Sequence, residues 1–102
     1  MLRIWLDDIR TPPDGWTWVK TAREAIDYIS TGDVAEISLD HDLGTPDEPD
    51  NSGYTVANFI EGAACLGEIT RIRWNTHTSN PVGRTNMEAA LKKADAFWDS
   101  RE

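Results

Sequence analysis

Four aspartates and two histidines in this chain are spaced as phosphate chemistry would require. Asp7 and Asp8 are adjacent, Asp40 and Asp42 flank His41, and His77 opens the run His77-Thr78-Ser79-Asn80. Carboxylates held close together raise one another's pKa unless a cation intervenes. Mg²⁺ suits such a group, because it takes one or two carboxylates, waters and a substrate phosphate in place of a full protein cage. His41 and His77 are the only two histidines. Imidazole gives and takes protons near neutral pH, which attack on and departure from a phosphodiester both need. One Asp at a strand end is ordinarily a turn-former, and one His is ordinarily structural. Paired acids in two places, with both histidines beside acidic or polar residues, point to metal or phosphate chemistry.

Other residues could hold a phosphate. Ser79, Asn80, Gly83 and Arg84 precede a helix that Thr85 and Glu88 open as a capping box. Helix N-termini present unpaired N–H groups and the positive end of the dipole, and the Arg84 guanidinium can grip two phosphate oxygens. Arg10 is a second anchor, although it follows the acids and can simply pair with them. Trp16, Trp18 and Tyr54 could stack on a base, with sheet-face packing the ordinary role for the two tryptophans.

These groups depend on the elements that carry them. Leu2, Ile4 and Leu6 alternate with Arg3 and Trp5 as a strand ending at Asp7. Pro12, Pro13 and Gly15 make the next segment a loop, and the β-branched and aromatic run Trp16 to Val19 a second strand. Thr21 and Glu24 cap a helix with Ala22, Ala25, Ile26 and Ile29 on one face, closed by Gly32. Glu36 to Leu39 is a strand delivering Asp40-His41-Asp42. Leu43 to Ser52 is a functional or mobile loop rich in Gly, Pro and acids. Ser52 caps a second helix with Val56, Phe59, Ile60, Ala63 and Leu66 as its stripe, ended by Gly67. Ile69, Ile72 and Trp74 mark a last strand, and Met87, Leu91, Ala94 and Trp98 the stripe of the last helix. The alternation predicts a parallel sheet with helices covering its faces. Ligands in such sheets gather at the carboxyl ends of the strands, where Asp7-Asp8, Asp40-His41-Asp42 and His77 to Asn80 fall.

Length and composition narrow the class. The 102 residues carry 18 Asp+Glu against 10 Lys+Arg, a formal charge of −8. That size fits one domain, residues 1–102, with a radius of gyration of about 13 Å. The acid excess excludes an extensive duplex nucleic-acid interface or an anionic membrane partner, both of which need a basic face. Seven of the 18 acids belong to Asp7, Asp8, Asp40, Asp42, Asp47, Glu48 and Asp50; the remaining 11 nearly balance the 10 bases. The single cysteine, Cys65, permits no internal disulfide and reads as a buried structural thiol. With no long apolar run at the N-terminus, a cytoplasmic location is expected.

The paired Asp7-Asp8, the later Asp40, and Leu43 to Gly53 opening a helix resemble the response-regulator receiver domain. The chain departs from that pattern in lacking a helix between the first two strands, and no fifth strand or its Lys follows. A closer resemblance covers nearly the whole chain. Leu6-Asp7-Asp8-Ile9-Arg10-Thr11-Pro12-Pro13, Ser38-Leu39-Asp40-His41-Asp42-Leu43-Gly44 and His77 through Met87 are similar to the cyclic-phosphate-processing receiver-like family of bacteria and phages. The resemblance implies a compact receiver-like, flavodoxin-like α/β fold: a three-layer sandwich of four parallel strands in order 2-1-3-4 with three helices. It implies a metal-dependent phosphodiesterase acting on 2′,3′-cyclic RNA ends or cyclic nucleotides. Asp7, Asp8 and Asp40 would hold Mg²⁺ or Mn²⁺, and His41, His77 and Asp42 would be catalytic. Asn80, Arg84, Ser79 and Arg10 would bind substrate. The alternative is a receiver-like module that binds a nucleotide or protein without chemistry.

Overall fold

The computed structural model describes residues 1–101. Its elements are β1 (Leu2–Leu6), β2 (Thr17–Val19), α1 (Ala22–Ser30), β3 (Val34–Leu39), α2 (Gly53–Cys65), β4 (Arg73–Thr76) and α3 (Pro81–Asp99). The four strands pair in parallel in the order β2-β1-β3-β4, giving a receiver-like α/β fold as expected. The Cα radius of gyration is 12.6 Å.

Register assigns the two faces of the sheet. Leu6 lies level with Val19 and Leu39, and Leu39 with Thr76, so these residues and Ile4 and Ile37 share one face. Ile4, Leu6, Val19, Ile37 and Leu39 join Ala25 and Ile29 of α1, Val56, Ala57 and Ile60 of α2, and Met87, Leu91 and Ala94 of α3 in one hydrophobic cluster. All three helices therefore contribute to the same core, on the same side of the sheet. The opposite face carries Arg3, Trp5, Trp18, Glu36, Ser38, Arg73 and Asn75. What crosses it is the connection from β1 to β2. The Trp5 indole N–H donates to the Arg10 carbonyl at 2.9 Å, and Trp16 meets Trp5 edge-on at 6.1 Å. The expected three-layer sandwich is thus corrected to one helical layer on one sheet. Without a helix between β1 and β2, only a loop remains to cover the second face.

Local chemistry explains the helix starts. The hydroxyl of Thr21 accepts from the Glu24 N–H, and that of Ser52 from the Thr55 N–H, as their spacing implies. The third helix begins earlier than expected. Asn80 Oδ1 accepts from the Gly83 N–H at 2.9 Å, and Pro81 takes the first helical position, where its missing N–H costs nothing. The Thr85–Glu88 capping box does not form. Thr85 bonds back to the Pro81 carbonyl and Glu88 accepts from Thr76, so Gly83 and Arg84 lie inside α3.

Two further expectations change. Ile72 is buried, but the ladder with β3 starts only at Arg73 and runs to Thr76, later than the apolar run suggested. Cys65 and Leu66 are exposed. They fall about 140° and 240° around the helix from Ile60, away from the stripe of Val56, Ile60, Ala63 and Ala64. The carbonyls of Ala64 and Cys65 are instead capped by the Arg101 guanidinium. No helix among the described residues is long and apolar enough to cross a membrane.

Candidate active site

Three site residues are fixed by the sheet itself. Asp7, Asp40 and His77 each come first after a strand, and each backbone N–H continues the ladder: Asp7 to Val19 O, Asp40 to Leu6 O, and His77 to Leu39 O. The strands thus hold the three side chains in a row along the carboxyl edge. Alternation turns them toward the face that lacks helices, because the residue before each lies on the core face.

Asp7, Asp8 and Asp40 each offer one carboxylate oxygen, and these oxygens lie within 4.8 Å of one another. Asp7 is almost wholly buried, at 1% exposure. Burial pushes its carboxyl up, but the N–H groups of Arg10 and Ile9, each 2.8 Å from Oδ1, and the His77 ring outweigh it and hold it below the usual carboxylate value. Asp40 goes the other way. Burial, reinforced by the charge of Asp7, raises it, and the Thr78 hydroxyl and His41 N–H offset only part of the effect. One acid held charged beside another that resists ionisation is the electrostatic condition a divalent cation relieves. Three hard oxygen donors fit Mg²⁺ or Mn²⁺.

The two histidines occupy different settings. His77 Nε2 is 3.0 Å from Asp7 Oδ2, and Nδ1 is 2.8 Å from the Ser38 hydroxyl. A carboxylate can only accept, so Nε2 carries the proton and Nδ1 accepts from Ser38. Burial disfavours the imidazolium more than Asp7 and Asp40 favour it, so the pKa lies below 6.5. The ring also stacks on Trp5, with centroids 3.9 Å apart and planes 7° from parallel. Both nitrogens and one face are thus engaged, and His77 orients Asp7. His41 is freer. Its Nδ1 is 2.9 Å from Asp42 Oδ1, which places the proton on Nδ1 of the neutral ring, and Nε2 has no partner among the described residues. The His41 bond, assisted by Asn80 Nδ2, keeps the Asp42 carboxyl below its ordinary value.

The substrate-binding candidates separate in the same way. Asn80 spends Oδ1 on capping α3 and Nδ2 on Asp42, so it braces the His41–Asp42 pair. Arg10 and Arg84 donate to the consecutive carbonyls of His77 and Thr78, placing two guanidinium groups on the segment that forms one wall of the site. Both remain exposed, with further N–H donors available. Ser79 is exposed at the same bend. Trp16 and Trp18 each carry a cation over the ring, Arg3 and Lys20 at 4.5 Å, and the Trp18 N–H donates to the Asp7 carbonyl. Tyr54 is exposed in the first turn of α2.

Several supports are visible only in three dimensions. Ser38 and Trp5 lie in strands with no chemistry of their own in the sequence pattern. Thr78, buried, bonds Asp40 and accepts from the Asn80 N–H. Two glycines mark where backbone approaches the site: a Cβ on Gly53 would lie 2.0 Å from the Asp40 carbonyl oxygen, and one on Gly83 would lie 2.4 Å from the His41 ring. The loop from Leu43 to Ser52 is tied down. Leu43 is buried, Asp42 bridges to Ser52, and Asn51 bonds both Thr45 and the Ala22 N–H at the start of α1. Between this loop and His41–Asp42 lies a cleft of about 520 Å³.

The chain matches the family model described as "Cyclic-phosphate processing Receiver domain" over residues 2–93, a span that includes every one of these residues. No curated protein and no solved structure gives a significant match. A parallel sheet in the order 2-1-3-4, with an acid cluster and an Asp–His pair on its carboxyl edge, accords with that match, and the chain belongs to the cyclic-phosphate processing receiver domain family.

Proposed function

We propose that the protein is a metal-dependent phosphodiesterase that opens a cyclic phosphate by hydrolysis. The observation that carries the reading is the cluster of Asp7, Asp8 and Asp40 oxygens, followed directly along the chain from Asp40 by a His41 whose proton is fixed on Nδ1 by Asp42. Mg²⁺ or Mn²⁺ would be held by Asp7, Asp8 and Asp40 and would supply Lewis-acid polarisation of a non-bridging phosphate oxygen. His77 keeps Asp7 in place from behind, as partners of ligating groups do. Nε2 of His41 takes the proton from the attacking water and returns it to the departing alkoxide. The P–O bond of the ring breaks as the new one forms, leaving a phosphomonoester and a free hydroxyl. Asp42 holds the ring in the required tautomer, and Arg10 and Arg84 flank the phosphate oxygens. Of the two histidines expected to be catalytic, proton transfer is assigned to His41, and His77, with both ring nitrogens bonded, positions Asp7.

A single-turnover assay on 2′,3′-cyclic and 3′,5′-cyclic nucleotides with Mg²⁺ or Mn²⁺ tests this. Wild-type protein turns over one of them only with metal, and His41→Ala loses about 10²- to 10⁴-fold, the worth of a positioned acid–base group. A wild-type protein that binds the nucleotide and returns it unchanged refutes catalysis and leaves a binding module. Equal rates for wild type and His41→Ala refute the assignment of His41.

A further inference from the structure

We propose that the cleft beside His41 and Asp42 is a subsite for the uncharged part of the substrate, and that the substrate is a cyclic nucleoside monophosphate carrying a single phosphate. This rests on the phosphodiesterase reading and specifies its substrate class. The cleft of about 520 Å³ falls within the range of small-molecule sites and adjoins the pair that would move the proton. No Lys or Arg lines it; its ionisable groups are His41, Asp42 and Glu48. A phosphate is excluded from such walls by charge. A planar base is not, because Pro46 and Pro49 offer apolar surface and the Glu48 carboxylate, with no partner among the described residues, can accept from a base or ribose donor.

The wall is also built before any ligand arrives. Asn51 ties Thr45 to the start of α1, and the Glu48 and Asn51 N–H groups donate to the Thr45 and Glu48 carbonyls. The ordering entropy of this loop is therefore not charged to binding. A polynucleotide end meets the opposite situation. Its following phosphates would meet the acids concentrated in this loop, Asp42, Asp47, Glu48 and Asp50, with Arg10 and Arg84 as the guanidinium groups held on the His77–Thr78 segment. The acids that draw a divalent cation thus repel a chain of phosphates, and salt weakens that repulsion.

Calorimetry in Mg²⁺ compares a 2′,3′-cyclic mononucleotide with a short oligoribonucleotide ending in the same 2′,3′-cyclic phosphate. Turnover of both is measured in parallel. The mononucleotide binds at least about tenfold more tightly at low salt, the gap narrows at high salt, and Glu48→Ala weakens it by about fivefold with the melting temperature unchanged. Equal or tighter binding of the oligonucleotide, or an unaltered Kd in Glu48→Ala, overturns the subsite while hydrolysis of either ligand keeps the proposed activity. Preferential binding of the mononucleotide without turnover does the reverse, sustaining the subsite and refuting catalysis. Absence of binding by both ligands overturns both.

Discussion

Replacing Gly83 with alanine separates the stability of α3 from the integrity of the site. Inside an α-helix, Gly→Ala normally stabilises by about 1 kcal/mol. At this position the new Cβ would lie 2.4, 2.5 and 2.9 Å from His41 Cγ, Cδ2 and Nδ1. Ordinary carbon contacts are about 3.5–4.0 Å, so the imidazole must retreat by about 1 Å or more. It can, because the His41 side chain is 22% exposed and only the side chain has to swing. The retreat breaks its 2.9 Å bond to Asp42, a partly exposed interaction worth about 0.5–1.5 kcal/mol. The two effects nearly cancel, leaving stability within about 1 kcal/mol of wild type and the melting temperature within about 8 °C. Function does not share that tolerance, since a misplacement of about 1 Å in a reacting group can cost about 100-fold in rate. The assay pairs denaturant unfolding with ¹H–¹⁵N spectra of the imidazoles and with turnover of the cyclic nucleotide. A variant that gains the full ~1 kcal/mol with unchanged His41 resonances and turnover refutes the reasoning.

Three other perturbations give distinct outcomes. Gly53→Ala sets a Cβ 2.0 Å from the Asp40 carbonyl oxygen, and backbone cannot swing aside; a loss of about 3 kcal/mol in urea unfolding is expected, and a wild-type midpoint contradicts the packing described. Mg²⁺ at about 100 times its Kd stabilises the wild-type protein by about 2.7 kcal/mol, whereas Asp8→Asn abolishes most of that shift; a metal response equal in both proteins removes Asp8 from the ligand set. The His77 pKa is depressed in the folded state, so the unfolded chain binds more protons as pH falls below its reference value of 6.5, and the folded protein loses stability there. Metal-free wild type should therefore lose more stability than His77→Gln between about pH 7.5 and 5.5; parallel profiles show that His77 does not titrate as described.

Much of the site was legible because its parts are local. Alternation in Leu2–Leu6 and the apolar run ending at Leu39 place Asp7 and Asp40 at strand ends, and the Thr21 and Ser52 caps locate two of the three helices. Each of these signals lies within a few residues of what it specifies. The start of α3 was less legible, because Asn80 and Thr85 both carry a cap signal and the chain has to choose between them. Asn80 is favoured by Pro81 at the next position, and its amide braces Asp42, which follows β3 and lies 38 residues away in sequence. Cys65 looked buried because its neighbours are apolar, but the register of the stripe around α2 turns it outward.

The sequence by itself determined which residues stand at the carboxyl ends of the strands, because periodicity and turn chemistry act over short distances. The tertiary structure alone decided what those residues became. His41 and His77 are equivalent as letters; one lies against Gly83 with Nε2 free, and the other is held between Asp7, Ser38 and Trp5. That difference comes from contacts 39 to 72 residues apart along the chain. Only packing can make those contacts, since parallel strands meet across long connections and the hydrophobic burial that aligns them is blind to sequence distance.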